Sequence, residues 1–216
     1  MSRRAALAAI SPVTSEQWGM VTAGQARRLG VSRLDLNRLV DDGTLAIADQ
    51  ATRVYRLTGA PEDPDLDPLR AAWLQLGGAQ SWHERTTAPN LVVSHRSAAH
   101  LRGLGDLIPY EHEFYATTRL RPRRNDVKLR VRSQLPPDSW EIWGGLPVRT
   151  VPAIIDDLLS DGEDEFAVAQ VVRDALVLGL VRDEALTAIL TPYTVAYGHT
   201  DPGEFVQVLT GKGTRG

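Results

Sequence analysis

Arg33, Asn37 and Arg38 lie on the open side of a short amphipathic segment that begins at Ser32. These side-chain types read base edges: arginine pairs bidentately with guanine, asparagine with adenine, and an apolar tip such as Leu34 touches a thymine methyl. At about 100° per residue, Leu36, Leu39 and Val40 fall together on the other side, so one face of a helix should pack while the reading face stays open. Gln25, Ser32, Arg53 and Arg56 are expected to hold the phosphate backbone, contacts that fix register rather than sequence. A second group of cations comprises Arg119, Arg121, Arg123, Arg124, Lys128, Arg130 and Arg132, seven charges within fourteen residues. The last three alternate with Val127, Leu129 and Val131. That pattern suits a second phosphate contact, and equally a solvated sheet face.

Other chemistries are poorly served. The chain has no glycine loop followed by Lys-Ser/Thr, no G-x-S-x-G elbow and no H-E-x-x-H. His95 and His100 are five residues apart, about 140° around a helix, and cannot chelate as an i, i+4 pair does. Asp156, Asp157, Asp161, Glu163, Asp164 and Glu165 resemble divalent-cation ligands only in number. The first two sit inside an apolar helical pattern, and the others fill a helix start, where the dipole favours acids. The chain contains no cysteine, which excludes disulfides and thiolate metal sites. The expectation is a protein without enzymatic activity, metal or cofactor.

The elements that position the reading face are marked by their caps. Thr22 with Gln25, and Ser32 with Asp35, are spaced as capping boxes, and Gly30 and Gly43 stop the two helices they start. Residues 45–48 and 53–57 then read as a hairpin, with Val54 and Tyr55 alternating against Arg53 and Arg56. Two short helices, a tight turn and a hairpin are the grammar of a winged helix-turn-helix, here assigned to residues 1–58. Its first helix is expected to be broken or bent at Pro12 and resumed from Thr14 to Trp18. Residues 59–68, GAPEDPDLDP, carry three prolines and four acids and read as a linker.

Residues 69–216 form the expected second domain. A helix to about Leu76 precedes an exposed loop over 77–90, a strand at 91–93 and a helix from Ser94 to about Arg102. Strands follow at 113–117, 127–132, 140–143 and 146–149, the last two joined over Gly144-Gly145, and the remainder is helical with a frayed tail. The fold class is therefore α+β: a winged helix-turn-helix followed by a mixed domain with a small antiparallel sheet and a helical C-terminal third.

The 216 residues are 43% hydrophobic and 24% charged, ordinary for a soluble protein. No apolar run approaches the roughly 20 residues that span a bilayer. The apolar part of the N-terminus is shorter than a signal peptide's core region, so a cytoplasmic protein without membrane partners is expected. The net charge of −3 conceals a segregation. Residues 1–58 carry 8 Lys and Arg against 5 Asp and Glu, residues 70–150 carry 12 against 7, and residues 151–216 carry 4 against 11. The acidic third would repel DNA and attract a basic protein, although solvated helix faces are the commoner origin of such charge.

The order of GMVTAGQARRLGVSRLDLNRLVDDGTL and VYRL, then LVVSHRSAAHLRGLGDLIP, the basic strand and GLPVRTVPAIIDDLL resembles the AbiEi family of antitoxins from type IV toxin-antitoxin, or abortive-infection, systems. The strings at Val93–Leu101 and Gly145–Thr150 are its most specific parts, and the likeness covers roughly residues 15–180. The resemblance implies a phage-defence protein that binds inverted repeats upstream of its own operon as a transcriptional repressor. It also implies neutralisation of a cognate nucleotidyltransferase toxin through the C-terminal domain. A single reader is too small to be selective, so two copies on an inverted repeat are expected, the chain being a monomer in solution or a dimer on DNA. Two alternatives remain: a stand-alone winged-helix regulator with a sensing C-terminal domain, and a DNA-processing enzyme.

Overall fold

The computed structural model describes residues 1–48, 53–122 and 124–211. The chain divides into two compact units, Met1–Leu91 with Leu120–Val127, and Val92–Arg119 with Lys128–Gly216. The fold is α+β, with an antiparallel three-stranded sheet in the order β1-β3-β2 and a mixed five-stranded sheet in the order β6-β5-β4-β8-β7. No helix among the described residues is long and apolar enough to cross a membrane.

The first unit opens with α1 (Arg3–Glu16), β1 (Met20–Thr22), α2 (Ala23–Arg28), α3 (Arg33–Asp41), β2 (Leu45–Ile47) and β3 (Val54–Leu57). Helix α1 is not interrupted at Pro12. Ala6, Ile10 and Thr14 line up four residues apart and are fully buried, and this packed face offsets the hydrogen bond lost at Pro12. Strand β1, which has only three residues, pairs with β3 through Val21 and Tyr55. That makes β3 the central strand, so the expected in-and-out alternation of Val54, Tyr55 and Arg56 is absent and all three are buried. Residues 49–52, where the sequence predicts the turn between the hairpin strands, lie outside the described residues, as do Arg123 and the tail from 212.

Two further helices, α4 (Asp67–Gly77) and α5 (Trp82–Thr87), belong to this unit. Its boundary therefore falls at Leu91 and not within the acidic stretch 59–68. Arg56 explains why: its guanidinium bonds Asp67 at 2.6 Å and the carbonyl of Pro61, which fastens the proline-rich segment to β3. The expected loop over 77–90 contains α5, whose Ser81 and Glu84 form a reciprocal capping box. Arg85 of α5 is 2% exposed, stacks at 3.4 Å on the ring of Trp73 in α4, and donates to the Trp73 carbonyl at 2.6 Å. Burial pushes its guanidinium down to about 9.

The second unit is built on β4 (Leu91–Val93), α6 (His95–Leu101), β5 (His112–Ala116), β6 (Val127–Val131), β7 (Trp140–Trp143) and β8 (Leu146–Arg149). Strands β4 and β8 run parallel with Val93 opposite Val148. Strands β7 and β8 form a hairpin over Gly144 and Gly145, at φ of 57° and 82°, the turn in which both central residues need positive φ. Helices α7 (Val151–Ser160), α8 (Glu165–Val177), α9 (Asp183–Leu190) and α10 (Pro202–Thr210) complete it.

Candidate nucleic-acid interface

Helix α3 starts at Ser32, whose Oγ accepts from the Asp35 N–H at 3.2 Å while the Asp35 carboxylate accepts from the Ser32 N–H at 3.2 Å. The Ser32 hydroxyl also donates to Asp35 at 2.5 Å, the first cause holding this carboxyl below its usual range. Leu36 and Leu39 are buried in a core shared with Ile10, Val21, Ala26, Val31 and Leu45. The opposite face carries Arg33, Leu34, Asn37 and Arg38, all exposed, with Leu34 at 59%. Among the described residues Arg38 has one weak partner, Asp35 at 3.7 Å. The three expected base-reading side chains are thus brought onto one accessible face.

The expected backbone-holding residues divide. Ser32 is exposed at the helix start, and Arg53 is exposed at φ 73°, its carbonyl accepting from Ala23 N–H at 2.9 Å. Gln25 is not available: it is 4% exposed, exchanges hydrogen bonds with Gln17 at 3.0 and 2.8 Å, and donates to the Gln80 carbonyl at 2.7 Å. Arg56 is not available either, since its charge is spent on Asp67 within the fold. Both side chains are engaged inside the first unit, which leaves them no open face for a ligand.

The second basic group is not a free cationic surface. Arg124 is bonded to Asp126 at 2.7 Å. Lys128 lies 3.6 Å from Glu113 and 3.4 Å from Asp161, and Arg130 is paired with the same two acids. Arg132 sits 3.7 Å from Asp157 and 4.1 Å over the ring of Tyr115. Arg119, Arg121 and Lys128 are exposed, the last of them paired with acids, and Arg123 lies outside the described residues. Coulomb attraction to nearby acids has used the charges that a phosphate would need.

What the sequence did not disclose is a polar centre in the second unit. Asp157 on α7 is fully buried and accepts from Arg149 at 2.8 and 3.0 Å and from the Tyr115 hydroxyl at 3.0 Å. Burial pushes its carboxyl up, against the pull of Arg149, and pushes the Tyr115 phenol up as well. His95 adjoins, with Nδ1 2.9 Å from Ser94 Oγ and Nε2 3.4 Å from the Tyr115 hydroxyl. Burial and then the charge of Arg130 press its imidazole down to about 3. The parallel pairing of β4 and β8 brings the V-S-H string and the P-V-R-T block to this one place. A signal did exist: Asp157 lies three residues after Ile154, on the apolar face of its helix, where a carboxylate needs a buried cation. Beside this centre lies a cleft of about 280 Å³ bordered by His95, Arg96, Glu113, Lys128, Asp161 and Glu163, its acids and bases largely paired with one another.

No protein-family model matches the sequence, and no curated protein matches it. Among solved structures, the fold is similar to that of the RV2827C protein from Mycobacterium tuberculosis, with a TM-score of 0.53 at 17% identity over 97% of this chain and 81% of that one. At that identity the likeness establishes a common fold spanning nearly the whole chain and carries no activity with it.

Proposed function

We propose that the chain is a DNA-binding transcriptional autorepressor of the antitoxin type, its first unit a winged helix-turn-helix that reads an inverted-repeat operator through α3. The observation that carries this reading is the exposed row Arg33, Asn37 and Arg38 on a doubly capped helix whose other face is locked in the core. Arginine and asparagine on the open face of such a helix suit the donor and acceptor pattern of the major groove. Arg53 and Ser32 supply backbone contacts. The resemblance of the V-S-H and G-L-P-V-R-T strings to AbiEi antitoxins supports a second partner, a nucleotidyltransferase toxin met in the cytoplasm by the second unit. The acidic charge of residues 151–216 favours a basic surface on that partner.

Titrating the full chain against a fluorescent fragment of its own upstream region, from about 50 to 200 mM salt, tests the reading. Selective binding whose affinity falls steeply with salt is the expected result. Binding indifferent to sequence would reject it.

A further inference from the structure

The two edges of the five-stranded sheet are β6 and β7, and they differ in kind. Strand β6 carries Lys128 and Arg130, the sort of charge that keeps an edge from pairing with another chain. Strand β7 reads Trp-Glu-Ile-Trp, with Ile142 43% and Trp143 42% exposed. Its one charge, Glu141, is drawn aside by Arg102 at 2.5 Å, and the same guanidinium lies 4.7 Å over the Trp143 ring.

The backbone of β7 shows which groups are free. Ile142 stands opposite Pro147, which has no N–H and so cannot exchange the two bonds of a hydrogen-bonded antiparallel pair. The bonded positions on β7 are therefore 141 and 143, in phase with the Thr150 N–H to Ser139 carbonyl bond at 3.1 Å. Ile142 must then turn its N–H and C=O away from β8, toward the open edge.

We infer that this edge pairs, antiparallel and about a two-fold axis, with β7 of a second copy of the chain. Only registers that bring outward-facing residues together satisfy the hydrogen bonds. Of these, the one that sets residue 140 opposite 142 places Glu141 against Glu141, and like charges directly opposite destabilise a sheet. The register that sets Ile142 against Ile142 instead puts each Glu141 beside the other copy's Trp143, with Arg102 on the same face. Setting Trp140 against itself would lay Glu141 opposite Ser139, within the 3-10 turn Pro137–Ser139, and pair little of the strand. The Ile142 register is thus the self-complementary arrangement that keeps β7 on β7 and avoids opposed like charges, as an isologous interface requires. A four-residue strand buries far less than the roughly 800 Å² per partner of a stable interface. The pair is consequently weak in free solution and strengthens when two copies are held close. That DNA holds them rests on the function proposed above; the pairing itself does not.

The absence of cysteine makes the test direct. In a hydrogen-bonded pair the two Ile142 Cα atoms stand about 5.5 Å apart, within the span of a disulfide. Under mild oxidation, full-length Ile142→Cys should give covalent dimer about tenfold above Val177→Cys, a control thiol at a site 85% exposed on α8. Inverted-repeat operator DNA should raise the yield further. Ile142→Lys, which sets like charges opposite each other, should abolish weak self-association in sedimentation at high concentration, and Ile142→Val should keep it. Equal cross-linking of the two cysteine variants, with and without DNA, would overturn the inference, including the case in which a different chain occupies the edge. Failure of the DNA reading shows separately, as unselective binding by the unmodified protein, and leaves the DNA-free cross-link to decide the pairing.

Discussion

At the scale of single residues, exposure separates side chains that can meet a ligand from those that hold the fold. Arg38 is exposed and weakly held, so Arg38→Ala should weaken operator binding by about 1–3 kcal/mol at fixed salt, with an unchanged circular dichroism spectrum. Unaltered affinity would reject the proposed reading through α3. Asp157 is the opposite case. Its removal leaves Arg149, which is 3% exposed, without a counter-charge, and Asp157→Ala should lose about 3–5 kcal/mol in denaturant titration. His95 links the same centre to pH. Its folded value of about 3 lies below the ordinary 6.5, so the unfolded chain takes up a proton that the folded chain refuses. Stability is whole above about pH 6.5 and declines as pH falls from there through about 3. His95→Gln should flatten the upper part of that decline, and an unchanged slope would show that the imidazole is not the group responsible.

At the scale of elements, the loop between α4 and α5 acts as a seat for α2. Thr22 Oγ1 donates to the Gly78 carbonyl, Gln25 donates to that of Gln80, and Arg28 is bonded to the Ala79 carbonyl and to Glu84 at 2.9 Å. Arg28 is the first cause holding the Glu84 carboxyl down at about 2. A Cβ on Gly24 would stand 2.8 Å from the Gly78 carbonyl oxygen and 3.0 Å from the Ala79 Cα. These are backbone atoms, so overpacking of about 1–3 kcal/mol outweighs the helix-propensity gain of about 1 kcal/mol. Gly24→Ala should therefore lower the denaturant midpoint, and a rise in it would show that the seat is loose.

The same elements show what a sequence conveys. Capping boxes at Thr22 and Ser32 were legible because they are local, and so were the apolar face of α3 and the Gly144-Gly145 turn. Ser81 with Glu84 has the same spacing and could have disclosed α5, but polar neighbours made it look like a loop. What stayed hidden depends on distant partners. The three-residue β1 carries too little pattern to read alone, and once it makes β3 central, Arg56 is buried against Asp67, eleven residues onward. Gln25 looked like a phosphate ligand because its cap role was visible and its bonds to Gln17 and Gln80 were not. In the basic strand, the cations were legible and the acids that neutralise them, Glu113 and Asp161, were not.

At the scale of the whole molecule, the division into units has a consequence for how the gene can be cut. The chain leaves the first unit after Leu91, returns to it at Leu120, and leaves again after Val127. Neither unit is a continuous stretch of sequence. A stop after residue 91 would yield a first unit lacking residues 120–127, and a start at residue 92 would carry that segment away from the unit it belongs to. Fragments 1–91 and 92–216 expressed apart should each be less cooperative in thermal unfolding than the full chain, whereas independent sharp transitions would mean the returning segment is dispensable. If it is not, recombination at a single point cannot transplant the first unit onto another partner domain, and the two units must be inherited together.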